Sequence, residues 1–412
     1  MGEATQTSRV VILGAGQAGG ETALRLRAGG FQGEITLIGD EPIAPYQRPP
    51  LSKAYLTGEL DADRLPLRPL EVYAAENIHL LLGRRANWID RQRKRVRLEG
   101  GQELPYDALV IATGARPRRL TAPGADLPGV HVLRSAADVA AIKAELKSGA
   151  RLAVIGAGYI GLEAAASARK LGAEVTVLEA AVRPLARVTS PEVAGFFLDQ
   201  HVAHGVQFRL AAQAAVFKGS DRVRAVGLAD GDEVAADLVI VGVGVIADVG
   251  LAEKAGLIID NGIVTDRACR TTDPAIYAIG DVARRPMTHY GGRMERLESV
   301  HSAIEGAKIA AAGILGAPPP AEETPWFWSD QYDLKLQIAG LFQGYDQLVV
   351  RGSMEAKSFA VFYLRAGQLL AVDAINRPAE YAAGKILIQR GARVDAARLS
   401  DESIAMKTFL QA

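Results

Sequence analysis

Short apolar runs, each closed by glycine, set the rhythm of most of this chain. Val10-Val11-Ile12-Leu13 is the first, and it runs into Gly14-Ala15-Gly16-Gln17-Ala18-Gly19. A run with no polar alternation predicts a strand buried on both faces of a parallel sheet. The mixed stretch that follows predicts a helix over 21–27, and Ile35-Thr36-Leu37-Ile38 predicts a second strand ending in Gly39-Asp40-Glu41. The whole pattern returns at Leu152-Ala153-Val154-Ile155, then Gly156-Ala157-Gly158-Tyr159-Ile160-Gly161, a helix over 162–170, and a strand over 174–178 closed by Glu179. Two more buried strands are predicted, at Ala108-Leu109-Val110-Ile111-Ala112-Thr113-Gly114 and at Ile276-Tyr277-Ala278-Ile279-Gly280-Asp281.

Pro318-Pro319-Pro320 is a stiff break. Beyond it, 335–339, 347–351, 359–364 and 369–373 alternate or run apolar, and 379–390 has helical spacing, which predicts a small sheet and one helix. At roughly 150 residues per domain, the length predicts two or three domains. The predicted class is α/β: two Rossmann-like nucleotide-binding domains plus a small α+β C-terminal domain. The strand ending at Asp281 follows the second glycine unit, so the first nucleotide domain is expected to be interrupted. The expected boundaries are 1–118 with 246–320, then 119–245, then 321–412.

Each repeated unit is strand, glycine turn, helix, strand, acid. The first glycine permits the tight turn, the second lets backbone N–H groups approach a pyrophosphate, and the third lets helix and strand pack closely. The closing acid accepts hydrogen bonds from an adenosine ribose. Asp40 lies 21 residues after Gly19 and Glu179 lies 18 after Gly161, near the usual spacing of roughly 20. One such fingerprint is a weak signal, but two in full context predict that the chain binds two dinucleotides. A carboxylate at Glu179 accepts a free 2′-hydroxyl and repels a 2′-phosphate, which favours NADH over NADPH. Arg183 and Arg187 follow closely and could instead hold a phosphate, or belong to a solvated loop.

Composition narrows the classes. Lys plus Arg and Asp plus Glu are 47 each, so no global field favours nucleic acid or an anionic membrane. The local run of Arg84, Arg85, Arg91, Arg93, Lys94, Arg95 and Arg97 is accordingly expected to be the solvated face of a hairpin, with a docking patch as the alternative. With 49% apolar residues the chain is expected to be ordered. Its single cysteine, Cys269, excludes an internal disulfide framework and a dithiol pair. No metal site is expected. The polar stretch Met1–Arg9 shows no signal peptide, and no apolar run predicts a membrane span, so a cytoplasmic protein is expected.

Four segments are more specific than the glycines: Pro45-Tyr46-Gln47-Arg48-Pro49-Pro50-Leu51-Ser52-Lys53, Gly158-Tyr159-Ile160-Gly161-Leu162-Glu163, Arg296-Leu297-Glu298-Ser299-Val300 and Pro325-Trp326-Phe327-Trp328-Ser329-Asp330. Through them the whole chain resembles the flavoprotein pyridine-nucleotide reductases, of glutathione-reductase-like architecture. Within these it resembles the NADH-dependent ferredoxin reductases of bacterial oxygenase systems. Relatives that reduce disulfides carry cysteine near Lys53, whereas Pro49-Pro50-Leu51-Ser52 stands here. Without a thiolate a thiol–disulfide relay has no first step.

The resemblance implies FAD in the first domain, at Gly14, Gly16, Ala18, Gly19, Asp40, Arg48, Lys53, Ala86, Thr113, Arg134, Asp281 and Val300. It implies NADH in the second, at Gly156, Gly158, Tyr159, Ile160, Gly161, Glu163, Glu179, Arg187 and Gly244. Lys53 and Glu163 are the implied catalytic pair: the lysine stabilises negative charge on the flavin as it is reduced, and the carboxylate holds the lysine and orients the nicotinamide. A purely structural ion pair is the alternative. Tyr159 is either a gate over the flavin or a packing residue. Trp326 and Trp328 match the aromatic pair where a partner docks, an expectation set against ordinary packing of the third domain, and Lys308 matches a basic docking position. His301, Ser302 and Ala181 depart from the usual residues at their positions.

The implied function is FAD-dependent transfer of electrons from NADH to a 2Fe–2S ferredoxin serving a cytochrome P450 or a ring-hydroxylating dioxygenase, by a monomer or homodimer. The alternatives are a rubredoxin or monodehydroascorbate reductase, and a redox-gated interaction flavoprotein.

Overall fold

The structure is a computed structural model and describes residues 8–411. Of the polar stretch read ahead of the first strand, residues 1–7 lie outside the described part. Contacts divide the chain into two compact units. One comprises Met1–Gln47, Leu65–Arg116 and Ile246–Pro325; the other comprises Arg48–Arg64, Pro117–Val245 and Trp326–Ala412.

The first unit is built on a parallel five-stranded sheet in the order Ile276–Ala278, Ala108–Ile111, Arg9–Leu13, Glu34–Ile38, Ile78–Leu81. Its central strand explains the unbroken apolar run. Val10 and Ile12 face a core made with Ala23 and Leu26 of the helix Gln17–Ala28 and Ala307 and Ala310 of the helix Val300–Ile314. Val11 and Leu13 face the opposite way, into a core shared with Ile89, Val96 and Leu98. Those last residues belong to a three-stranded antiparallel sheet of Ala86–Asp90, Arg95–Leu98 and Glu103–Pro105. Val96 and Leu98 are buried while Arg84, Arg85, Arg93, Lys94, Arg95 and Arg97 are exposed; Arg91 departs from the expected solvated run, half-buried and paired with Asp273 at 2.9 Å.

The second unit repeats the plan, with parallel strands in the order Gln207–Leu210, Glu174–Glu179, Arg151–Ile155, Leu238–Val241, Val130–Val132. It also contains an antiparallel sheet of Trp326–Gln331, Leu334–Gly340, Gln368–Ile375, Ser358–Arg365 and Gln347–Ser353, on which the helix Pro378–Gln389 packs. The chain is thus α/β, with two Rossmann-like sheets and a small α+β C-terminal portion.

The repeat extends to individual hydrogen bonds. Gly14 N–H donates to Ile38 O and Gly156 N–H to Leu178 O, both at 2.8 Å; Ala112 N–H donates to Leu13 O and Gly242 N–H to Ile155 O, both at 2.7 Å. Two local features differ from the sequence expectation. The helices begin at Gln17 and Tyr159, inside the glycine fingerprints, because Gly16 and Gly158 are themselves the N-caps. The strand Trp326–Gln331 is the other. Its half-exposed positions carry Trp326 and Trp328 and its buried ones Ser329 and Gln331, the inverse of the usual amphipathic signal.

Candidate functional site

The two glycine turns combine crowding with openness. A Cβ on Gly14 would meet Ala112 O at 2.1 Å and one on Gly19 would meet Gly14 O at 2.0 Å; the counterparts Gly156 and Gly161 would meet Gly242 O at 2.5 Å and Gly156 O at 2.2 Å. A Cβ on Gly16 or Gly158 would meet nothing within 4 Å. The outer glycines are therefore required by the fold, and the middle ones face open space at a helix N-terminus. That geometry suits the close approach of a pyrophosphate. Ala18 is buried on the first turn of its helix, whereas Ile160 is among the exposed large apolar side chains.

The closing acids are not equivalent. Glu179 turns back into its own unit, accepting from Ala157 N–H at 2.7 Å and Ala181 N–H at 2.8 Å. By the register of the turn hydrogen bonds, the counterpart of Glu179 in the first copy is Gly39, and Asp40 is one residue further on and exposed. Glu41 accepts from the Tyr46 hydroxyl at 2.7 Å. Arg187 lies against Gly244, its guanidinium 3.5 Å from where a Cβ of that glycine would stand. Arg183 is spent on the backbone, donating to Ala186 O and Thr189 O.

Lys53 and Glu163 come together although 110 residues apart: Nζ donates to Oε2 at 2.6 Å. The short elements Pro49–Ser52 and Ala54–Thr57 meet at Lys53, and the helix Tyr159–Lys170 carries Glu163 on its second turn. Glu163 is 4% exposed. A buried carboxylate has to be paired and hydrogen-bonded, and it is: the Ser52 hydroxyl also donates to Oε2, and the Ser329 hydroxyl donates to Oε1 at 2.7 Å. Lys53 keeps some exposure and donates to Pro49 O at 3.2 Å. Sequence reading missed both serines. Each lay within a quoted segment, but no local signal pairs Ser329 with an acid 166 residues earlier.

Tyr159 is the other unusual group of the second unit. Its ring lies 5.1 Å from that of Phe327, and its buried hydroxyl has no hydrogen-bond partner among the described residues. Burial, reinforced by Asp373, Tyr363 and Glu163, holds its phenol protonated far above the ordinary range. An orphaned buried hydroxyl beside the Lys53–Glu163 pair fits a site built for a further group.

The remaining positions fall as follows. In the first unit, the Thr113 hydroxyl donates to Asp248 O at 2.8 Å, and Ala86 is buried at the start of its strand. Asp281 sits in the turn Gly280–Val282, its carbonyl accepting from Arg296. Val300 opens the fifteen-residue helix Val300–Ile314, capped by Ser299 through Ser302 N–H at 3.0 Å. His301 is buried beside Glu323, which also takes Lys308 Nζ at 2.6 Å. In the second unit, Arg48 donates to Arg134 O at 2.6 Å. Trp326 and Trp328 lie on one face of their strand with ring centroids 5.6 Å apart. Cys269 is fully buried, and burial pushes its thiol up to about 11, so it is inert as a nucleophile.

Comparison with known proteins gives consistent results. A family model described as pyridine nucleotide-disulphide oxidoreductase matches residues 8–307, and one described as reductase C-terminal matches 326–410. Rhodocoxin reductase of Rhodococcus erythropolis is 47% identical over 92% of this chain and 89% of its own length. Putidaredoxin reductase of Pseudomonas putida is 46% identical over 98% of this chain and 97% of its own. Among solved structures, a covalent putidaredoxin reductase–putidaredoxin complex matches with a TM-score of 0.96 at 44% identity, covering 98% of both chains.

Proposed function

The chain belongs to the pyridine nucleotide-disulphide oxidoreductase family, whose members bind FAD and use NAD(P)H, and from that premise we propose that it is an NADH:ferredoxin reductase. Its acceptor is a 2Fe–2S ferredoxin that serves a cytochrome P450 or a ring-hydroxylating dioxygenase in the cytoplasm. We assign FAD to residues 1–118 and 246–320 and NADH to 119–245, with 321–412 as the C-terminal domain, and we carry over Trp326, Trp328 and Lys308 individually as partner-docking residues. The observation that carries this reading is the pairing of Lys53 with the buried Glu163, in a chain whose only cysteine is inert.

FAD, when bound, accepts a hydride from NADH and passes its electrons on singly. The chain's own residues bind, position and tune. Gly14, Gly16, Ala18 and Gly19 offer the pyrophosphate an open helix terminus, with Asp40 on the adenosine side. By the resemblance, Arg48, Ala86, Thr113, Arg134, Asp281 and the backbone at Val300 would each contact the rest of the cofactor. Gly156, Gly158, Ile160, Gly161 and Gly244 do the same for NADH, with Arg187 beside them. Glu179 is fixed by two backbone N–H groups, so a 2′-phosphate would meet an immobile negative charge. Lys53, held by Glu163, would offer the flavin a fixed ammonium as negative charge develops on reduction, where preorganised positive charge is effective.

Purified protein should be yellow and should reduce 2Fe–2S ferredoxins faster with NADH than with NADPH, and rubredoxin more slowly than ferredoxin. Lys53→Ala and Glu163→Ala should each slow flavin reduction roughly 100-fold while FAD stays bound. Stopped-flow traces identical to wild type in both variants would remove these two residues from the mechanism.

A further inference from the structure

Glu163 is the end of a polar chain that runs through the interior of the second unit. From Glu163 Oε1 it passes to Ser329 Oγ at 2.7 Å, from there to Gln331 Nε2 at 3.0 Å, from Gln331 Oε1 to His201 Nε2 at 2.8 Å, and from His201 Nδ1 to Tyr332 OH at 3.0 Å. Ser329, Gln331 and His201 are at most 1% exposed. Such a network specifies geometry only when every member is satisfied, and here the inventory of protons fixes the sense of each bond.

A carboxylate paired with Lys53 only accepts, so the single Ser329 proton goes to Glu163. Ser329 Oγ must then accept from the Gln331 amide nitrogen. That turns the amide oxygen towards His201, which has to donate from Nε2 and so keeps a lone pair on Nδ1. The Tyr332 hydroxyl donates to that lone pair. All four donors point the same way, towards Glu163. Burial drives the pKa of His201 down to about 4, so the imidazole stays neutral and the lone pair is retained at neutral pH.

The far end is held at a conformational cost. Tyr332 occupies the turn between Trp326–Gln331 and Leu334–Gly340 with φ of 55°, a left-handed conformation that a bulky residue rarely adopts. Its ring stacks on His204 with centroids 3.7 Å apart. The strand alternation that buries Ser329 and Gln331 places them two residues apart on one face, matched to Glu163 at one end and His201 at the other.

We propose that Tyr332, His201, Gln331 and Ser329 form a one-way hydrogen-bond chain that positions the Glu163 carboxylate for hydride transfer. These four are positioning residues: they act through Glu163 and bring no group of their own to the reaction. The proposal rests on the role given to Glu163 above.

Two measurements test it. In holoenzyme labelled with 15N-histidine, without NADH, the His201 resonance, identified by its loss in His201→Asn, should show the Nε2–H tautomer. An Nδ1–H tautomer would reverse the chain and overturn the proposal. Gln331→Met keeps the volume and cuts the chain; it should slow flavin reduction roughly tenfold with the KM for NADH unchanged. Ser329→Thr, which keeps the hydroxyl, should remain close to wild type. In a Glu163→Gln background Gln331→Met should add nothing further, whereas full multiplicative slowing there means that the chain does not act through Glu163. If Gln331→Met does not fold, Tyr332→Phe removes only the terminal hydroxyl and should slow reduction roughly threefold; an unchanged rate counts against the proposal. Wild-type holoenzyme that NADH cannot reduce would defeat the functional reading instead, and the tautomer would still decide the chain.

Discussion

Gly16 and Gly19 sit three residues apart in one turn and should respond oppositely to the same methyl group. Gly16 has an ordinary extended conformation with φ of −93° and open space where a Cβ would stand. Gly16→Ala should therefore fold with a near-native melting temperature yet be recovered without flavin, seen as loss of the yellow absorbance. Gly19→Ala drives its Cβ into Gly14 O and should lose stability outright, measured by denaturant unfolding of the apoprotein. The glycines were legible because a backbone requirement leaves a fixed residue type at a fixed spacing. Lys53 and Glu163 were legible only through their surrounding segments. Ser329 and His201 were not legible at all, since a serine and a histidine carry no signal for which distant side chain they meet. The inequivalence of Asp40 and Glu179 was also hidden: counting from the glycines puts both near the expected place, and only the hydrogen-bonded register shows the offset.

Among whole elements, buried parallel strands were the easiest to read. Residues 10–13, 152–155 and 108–111 are covered on both faces, so their composition has no alternative reading. Helix starts were read late because the glycines that end the turn also cap the helix. The Trp326–Gln331 strand escaped because its buried face is polar. The helix Val300–Ile314 shows what a cap contributes. Ser299 satisfies Ser302 N–H, and Ser299→Ala should lower stability by about 1 kcal/mol in urea unfolding. Because that helix opens at Val300, the same variant should also weaken FAD retention, read as faster flavin loss on dilution. Stability lost without any change in flavin release would separate the cap from the cofactor.

In the whole molecule, two buried groups of the second unit titrate in opposite senses. The His201 pKa falls from 6.5 to about 4 on burial. The unfolded chain then binds the extra proton between those values, so stability is full above pH 6.5 and is lost as the pH falls towards 4. Asp373 accepts from Tyr363 at 2.7 Å and from Thr189, but burial dominates and pushes its pKa from 3.8 up to about 6. Here the folded chain binds the extra proton, and stability present below 3.8 is lost as the pH rises through 6. Each contribution is on the order of 3 kcal/mol, and they nearly cancel. Asp373→Asn should unmask His201: its unfolding free energy should climb more steeply between pH 4 and 6.5 than that of wild type. A slope unchanged from wild type would mean that Asp373 does not hold its proton above the ordinary carboxylate range in the native state.

Each unit takes segments from three separate stretches of chain, and the second ends with the last sheet to be synthesised. The hydroxyl that completes the shell around Glu163 belongs to that sheet, 166 residues downstream. A polypeptide that stops before residue 329 therefore keeps Lys53 and Ser52 on its acid but leaves Oε1 without the hydroxyl that the finished fold supplies. The acid is thus fully satisfied only once the last sheet has joined its unit.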